Sequence, residues 1–446
     1  MSANRKKLLV RRGDDLFVLD AGPRPPEKLD ETKVDLSGWK LRIQPREEWQ
    51  QMYREAWRLE RDYFYDRNMN GIDWAAMRKK YEPLAARVTD RDELSDVFGQ
   101  MIGELSALHM FVYGGDLQAS TEQIGTGSLG AELSRDAAAG GYRVVHVYRS
   151  DPDDPDGLSP LARAGVDVRA GDVIADVNGT AALSGPSLGA LLRNTAGTQV
   201  RLRVKAAGGA TRDVVVEPIT ARAASNLRYD EWEYTRRLLV DSLSHGRIGY
   251  VHLRAMTGND IAQWERDFYP VFNRDALLVD VRNNGGGNID SWILEKLMRH
   301  AWMFWQPRTG APYWNMQEAF RGPMTVLVNE HTASDGEAFA YGFRALGLGK
   351  VIGTRTWGGE IWLSSSNILA DRGIATAAEM GVYGPNSEWL IEGHGVDPDV
   401  VVDDTPHQTF LGHDAQLEMA VRTLMDQLAK QPPSVPKPPS YPHKGP

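Results

Sequence analysis

Ser334 stands inside "TASDGEAFAYGFRAL", shortly after the apolar run "MTVLV" (324–328). A plain strand-to-helix turn asks only for a polar capping residue, and Ser334 or Asp335 supplies one. The same turn also suits a nucleophile. It sets a small hydroxyl at a helix start, where free N–H groups and the positive dipole end stabilise an oxyanion. A second turn of this kind is "DVRNNGGG", where an apolar strand ends in Gly285, Gly286 and Gly287 before the helical "NIDSWILEKLMRHAW". Glycines let backbone N–H groups approach a ligand closely, and the missing "GK[ST]" ending excludes a phosphate loop. Two N–H donors converging beside a hydroxyl are what acyl transfer needs. Asp335 is expected to act through its backbone N–H, not its carboxylate, and Gly285 or Gly286 is expected to supply the second donor.

A serine also needs a base. Of ten histidines, His146 and His252 alternate within strands and read as structural, while His331 is too close to Ser334 and faces away. His109 lies in "GELSALHMFVYGG", where a helical segment ends and the chain becomes extended. It reads as a general base or as a buried core histidine.

The elements that must position these residues come from 446 residues, enough for two to four domains. Apolar content of 42% and charged content of 25% are those of a globular protein. A net charge of −9 with no basic block speaks against nucleic acid. No apolar run approaches the roughly 20 residues that span a bilayer, and the amino terminus lacks a signal-type apolar core. With no cysteine, disulfides, thiolate metal sites and cysteine nucleophiles are all excluded. A cytoplasmic protein fits these numbers.

Residues 1–22 read as a hairpin, "KLLVRRGDDLFVLD", whose apolar face needs a neighbour; 23–45 read as a linker rich in Pro and charge. Residues 46–118 carry apolar side chains at helical spacing and form a small helical domain that ends with His109. Residues 122–220 run strand, short helix, strand, helix, strand, an order that resembles a PDZ domain. There "GSLG" (127–130) lies where such domains hold a peptide carboxylate, making Gly127 and Gly130 candidate substrate-binding residues. After a connector, residues 221–429 alternate strand and helix from about Ser244, a layered fold with its site at the strand ends. Residues 430–446 form a Pro-rich, extended tail, free or lying on another subunit.

The run "EEWQQMYREAWRLERDYFY", "GELSALHMFVYGGD", the PDZ-like segment, "DVRNNGGG", "NEHTASDGEAFAYGFR", "GTRTWGGE", "IEGHGVDPDV" resembles, in this order, the catalytic half of the tricorn proteases. The resemblance covers nearly all of residues 46–428 and makes the opening hairpin look like the end of a preceding propeller region. It implies an α/β multidomain protein with a small helical domain, a PDZ-like β domain and a crotonase-like α/β catalytic domain. It also implies a serine peptidase trimming oligopeptides without metal or other cofactor, as a homo-oligomer, plausibly a hexamer. Ser334 then matches the nucleophile, His109 the general base and Glu392 the carboxylate that completes the relay. The N–H groups of Asp335 and of the glycine turn match the oxyanion hole.

One departure concerns the relay, since Leu108 stands where the family has a serine linking histidine to glutamate. Either Glu392 reaches His109 directly or through water, or Ser106 substitutes, or activity is reduced. The limiting alternative is a catalytically impaired peptide-binding scaffold. A crotonase-like acyl-CoA enzyme shares the layered fold and paired oxyanion donors, but the PDZ-like insert and positioned serine count against it. The tail-specific processing proteases use a lysine base after the nucleophile helix. Here Gly359 and Glu360 occupy that stretch, and no lysine occurs between Lys350 and Lys430. With no clear acidic pocket residue, the reading leans toward hydrophobic side-chain specificity. Asp290, a substrate-binding candidate, reads more simply as a helix-end charge.

Overall fold

The computed structural model describes residues 1–445 apart from 25, 27, 41, 118–121, 155–156 and 364–367. The opening hairpin pairs β1 (Lys7–Arg12) with β2 (Asp15–Asp20) antiparallel, Leu9 opposite Val18. Phe17 is buried against the segment that returns beneath it, where Val34 N–H donates to Leu16 O, while Leu9 faces solvent.

Three helices follow: α1 (Pro45–Tyr63), α2 (Trp74–Ala85) and α3 (Arg91–Gly103). Asp73 and Asp90 cap α2 and α3 by accepting from Ala76 N–H and Glu93 N–H. Met52, Tyr53, Phe98 and Met101 fill the core between them. That core also takes Ile361, Leu369, Ala375 and Ala378, which come from far along the chain. A short strand after α3, β3 (Val112–Tyr113), accordingly pairs outside its own neighbourhood.

The PDZ-like unit is an antiparallel sheet of β4 (Ala131–Asp136), β5 (Gly141–Val147), β6 (Val173–Val177), β7 (Thr180–Ala181), β8 (Val200–Lys205) and β9 (Thr211–Val216), with the single-turn helix α4 (Leu188–Leu191) on its flank. Strands β8 and β9 alternate buried and exposed residues, as a sheet covered on one face requires. The "SPLARAG" helix expected from sequence is one 3-10 turn over Pro160–Ala162.

The connector is where the chain departs most from its sequence reading. It folds as α5 (Ala221–Ser244), a 24-residue helix capped by Thr220 at its start and by His245 in the left-handed region at its end. It then leads into a parallel sheet: β10 (Ile248–His252), α6 (Gly258–Phe268), β11 (Ala276–Asp280), α7 (Asp290–Leu297), the hairpin β12 (Met303–Trp305) and β13 (Tyr313–Asn315), β14 (Met324–Val328), α8 (Asp335–Ala345) and β15 (Gly349–Gly353). Beyond it lie β16 (Trp362–Leu363), β17 (Ile374–Ala375), β18 (Ala378–Met380), β19 (Val400–Val401), α9 (Pro406–Phe410) and α10 (Ala415–Lys430).

The sheet order is β10-β11-β14-β15-β19, all parallel. Every residue of β10, β11 and β14 is buried, because helices cover both faces. One face packs with Trp264, Ile293 and Phe339 of α6, α7 and α8; the other packs with Val240 and Leu424 of α5 and α10. Strand β17 pairs with β3, and the buried Arg91 of α3 bonds Asp371. The segment after β15 therefore belongs at once to the catalytic sheet and to the helical unit. That shared segment decides the site geometry.

Candidate active site

Strands β11 and β14 are neighbours, Asp280 facing Leu327, so the glycine turn and the serine turn leave adjacent strands at the same end of the sheet. Polar bonds lock the two turns together. Ala333 N–H donates to Asn284 O (2.9 Å), and Thr332 Oγ1 donates to Val281 O (2.8 Å). Ser334 then sits at φ 52°, ψ −127°, a left-handed conformation that a non-glycine residue adopts at about 1–3 kcal/mol. Such strain at a strand-to-helix turn projects the side chain out of the backbone path, as a nucleophile requires.

Gly286 lies directly beneath that side chain. A Cβ on Gly286 would stand 2.5 Å from Ser334 Cβ, and its φ of +83° admits little but glycine. The sequence reading placed an oxyanion donor at Gly285 or Gly286, and this is corrected in detail. Gly285 N–H donates to Arg254 O (3.0 Å) and Gly286 N–H to Asn284 Oδ1 (2.9 Å). Among the described residues the N–H groups of Gly287 and Asp335 have no acceptor in the chain. Gly287 has no room for a side chain, since a Cβ would fall 1.8 Å from Met256 O.

The Asp335 carboxylate also has work that the sequence reading denied it. Its Oδ2 accepts from Ile289 N–H (2.6 Å) and Asp290 N–H (3.0 Å), capping α7. Asp290 is the first residue of α7, the helix-end position read from sequence.

His109 is half-buried, with Nδ1 2.6 Å from Ile361 O. A carbonyl can only accept, so Nδ1 carries the proton and Nε2 keeps its lone pair for a nucleophile. Burial holds the imidazole below its ordinary pKa, against the raising effects of the Ile361 bond and of Glu392. It is therefore a neutral base at pH 7. Phe111 and Trp357 stand edge-on to the ring at 5.5 and 5.9 Å. Among the described residues no hydrogen bond joins His109 to Ser334, and such bonds form with substrate in many unliganded hydrolases.

Of the routes that the sequence left open, a direct hydrogen bond between Glu392 and the imidazole is not made among the described residues. Glu392 Oε1 accepts from Leu108 N–H (2.9 Å) and its Oε2 from Glu360 N–H (2.8 Å) and Ile361 N–H (3.3 Å). The carboxylate thereby holds Ile361, the residue whose carbonyl faces His109. Leu108 takes part through its backbone, and its side chain is 43% exposed. Ser106 makes no hydrogen bond to His109 or Glu392 among the described residues. Leu108→Ser is therefore expected to change kcat/KM by no more than the roughly 0.5 kcal/mol of an ordinary surface substitution, about twofold. A rise of tenfold or more in the steady-state rate would show that a hydroxyl relay had been missing.

The site gathers more buried carboxylates than its sequence implied. Glu360 is 3% exposed, with Oε2 unpartnered. Burial first, then Glu337, Asp335, Asp290 and Glu392, push its carboxyl up to about 9; Asp335 is likewise raised to about 7 by burial and by Asp290. Glu360 thus keeps its proton in the folded state at neutral pH. The stability it contributes is complete below the ordinary carboxylate range near 4 and is lost as pH rises toward about 9. Glu360→Gln keeps the shape and removes the titration. Its melting temperature is expected to gain steadily on the parent from pH 5 to pH 9, and a gap independent of pH would contradict this.

The PDZ-like candidates have their own N–H groups engaged within the chain, although Gly127 lines a surface groove with Thr126, Leu129, Leu133 and Leu188. Gly127 N–H donates to Leu192 O (2.8 Å) and Gly130 N–H to Ser128 Oγ (3.2 Å), while Ser128 and Ile219 exchange backbone bonds. Leu227 of α5 packs against Gly130. The histidines set aside from sequence are structural: His146 bonds Glu231 (2.7 Å), and buried His252 bonds Tyr229 (2.8 Å), with its pKa lowered by burial to about 4. His331 is exposed beside Glu330. Arg321 at the far edge holds Ser434 O (3.2 Å), so the start of the Pro-rich tail lies on its own chain.

Sequence reasoning missed Glu337 and the Ile361 carbonyl, and within the glycine turn it favoured Gly285 and Gly286 over Gly287. Glu337 had a signal: "SDGE" has the S-x-x-E form of a capping box, and Glu337 Oε2 does accept from Ser334 N–H (3.1 Å). A backbone carbonyl has no signature of its own.

Three family models match in chain order. The Tricorn protease C1 domain covers residues 45–103, the Tricorn protease PDZ domain 127–221 and Peptidase family S41 247–402. Tricorn protease homolog 1 of Streptomyces coelicolor is 39% identical over 98% of this chain. The chain belongs to the tricorn protease family. It spans 41% of that relative's length, and 40% of the Tricorn protease of Thermoplasma acidophilum, to which it is 32% identical. The crystal structure of the tricorn protease superposes with a TM-score of 0.86 at 30% identity, over 96% of this chain and 41% of the other. The helical unit, the PDZ-like unit and the α/β unit described above thus follow a tricorn-family plan.

Proposed function

We propose that the chain is a serine peptidase that hydrolyses oligopeptides through an acyl-enzyme, with Ser334 as nucleophile and His109 as general base. The observation that carries this reading is the strained Ser334 at the start of α8, flanked by the free N–H groups of Asp335 and Gly287. In the first step the Ser334 Oγ–carbonyl carbon bond forms as the Oγ proton passes to His109 Nε2. The carbonyl oxygen takes the negative charge beside the two amides. The scissile C–N bond then breaks as Nε2 returns the proton to the leaving amine. Water repeats the sequence, giving a carboxylic acid and free Ser334. Glu392 supports the base by holding Ile361.

Membership of a peptidase family favours turnover over the scaffold reading, as does a base whose tautomer is set without a hydroxyl at position 108. The substrates would be short peptides and the working form a homo-oligomer in the cytoplasm; among the described residues no helix is long and apolar enough to cross a membrane. Rapid mixing with an activated peptide ester tests the chemistry. A burst of leaving group equal to the chain concentration is expected, followed by slower turnover. No burst and no cleavage of any oligopeptide would favour the scaffold.

A further inference from the structure

Four consecutive amides, Gly358 to Ile361, all donate to just two carboxylates. Gly358 N–H goes to Glu337 Oε1 (2.7 Å) and Gly359 N–H to Glu337 Oε2 (3.0 Å). Glu360 and Ile361 N–H both go to Glu392 Oε2. Each carboxylate also holds one catalytic segment. Glu337 Oε2 takes the nucleophile's own N–H, and Glu392 Oε1 takes the N–H of Leu108, next to the base. The strap ends at Ile361 O, which fixes the His109 ring.

We propose that Glu337 is a positioning residue, which sets the reach between the Ser334 hydroxyl and the His109 imidazole by tying the strained serine turn to the strap 358–361. This rests on Ser334 and His109 being the reacting pair. Glu337 is fully buried, and all of its partners are neutral donors: Ser334, Gly358 and Gly359 N–H, and the Thr356 hydroxyl. Thr356 Oγ1 in turn accepts from Val396 N–H (2.7 Å), which orients its proton toward Glu337. Only a carboxylate satisfies such a set, since both oxygens must accept. A glutamine would turn its NH₂ onto two donors whichever way it lay. Burial raises the Glu337 carboxyl, and the four bonds oppose that.

The test compares the full chain with Glu337→Gln and Thr356→Val. The readouts are kcat, KM, and the rate at which a fluorophosphonate inactivates Ser334 across pH. For Glu337→Gln the inactivation rate and kcat should both fall about 100-fold, the scale of an ångström-sized misplacement, with KM within about threefold. If Glu337→Gln does not fold, Thr356→Val removes a single donor and should still slow inactivation severalfold at unchanged KM. Inactivation rate and kcat like the parent's in a folded variant would overturn the proposal. A parent that fluorophosphonate does not label would instead overturn the assignment of Ser334.

Discussion

Ser334→Ala should fold, melt and bind peptide as the parent does, and lose kcat by a factor on the order of 10⁶. The hydroxyl is the only atom removed. The turn that holds it is built from Ala333, Thr332 and Glu337 bonds that the substitution leaves in place. The strained φ of 52° stays as well, because alanine meets the same backbone restriction as serine. Stability and catalysis are thus separable here. Measured side by side, an unchanged melting temperature, an unchanged dissociation constant for a peptide and an abolished kcat are expected together. Turnover retained within tenfold would remove Ser334 from the mechanism.

The second large effect belongs to the base. His109→Ala should lower kcat by roughly 10⁴ or more, and combined with Ser334→Ala it should cost little beyond the single change, since the two act as one unit. On the proposed mechanism, kcat/KM of the parent requires neutral imidazole. The rate should therefore be lost as pH falls through a His109 pKa that burial holds below its usual value. That acid limb should vanish in His109→Ala. Added imidazole should restore part of the rate through the space left beside Phe111 and Trp357. An acid limb that survives the substitution would point to another base.

The parts that sequence made legible are those where local pattern and global role agree. The apolar runs of β11 and β14, each ending in a turn of small residues, announce buried parallel strands with chemistry at their ends. Ser334 and His109 also stand out, one at a helix start and the other where a helix gives way to extended chain. The connector was opaque for a physical reason. Along α5 only Leu227, Val240 and Ser244 are fully buried, because the helix is wedged between the PDZ-like unit and the sheet and shows no single apolar face. Glu392 was named from the resemblance, but its bonding was not legible, since the carbonyl that faces His109 comes from Ile361, 252 residues away in sequence. Glu360 looked like an ordinary polar residue after two glycines. Its buried, proton-bearing carboxyl follows only from the meeting of α8, the strap and the start of α7.

The central claim is that residues 109, 334 and 358–361 form one acyl-transfer cleft, and a structure with a peptide boronate bound tests it most directly. The account predicts boron bonded to Ser334 Oγ and one boronate oxygen about 2.7–3.1 Å from the N–H groups of Asp335 and Gly287. It also predicts His109 Nε2 within about 2.6–3.2 Å of Oγ or the second oxygen, with Nδ1 still on Ile361 O. An adduct elsewhere, or an imidazole that remains out of reach of the bound boronate, would contradict it.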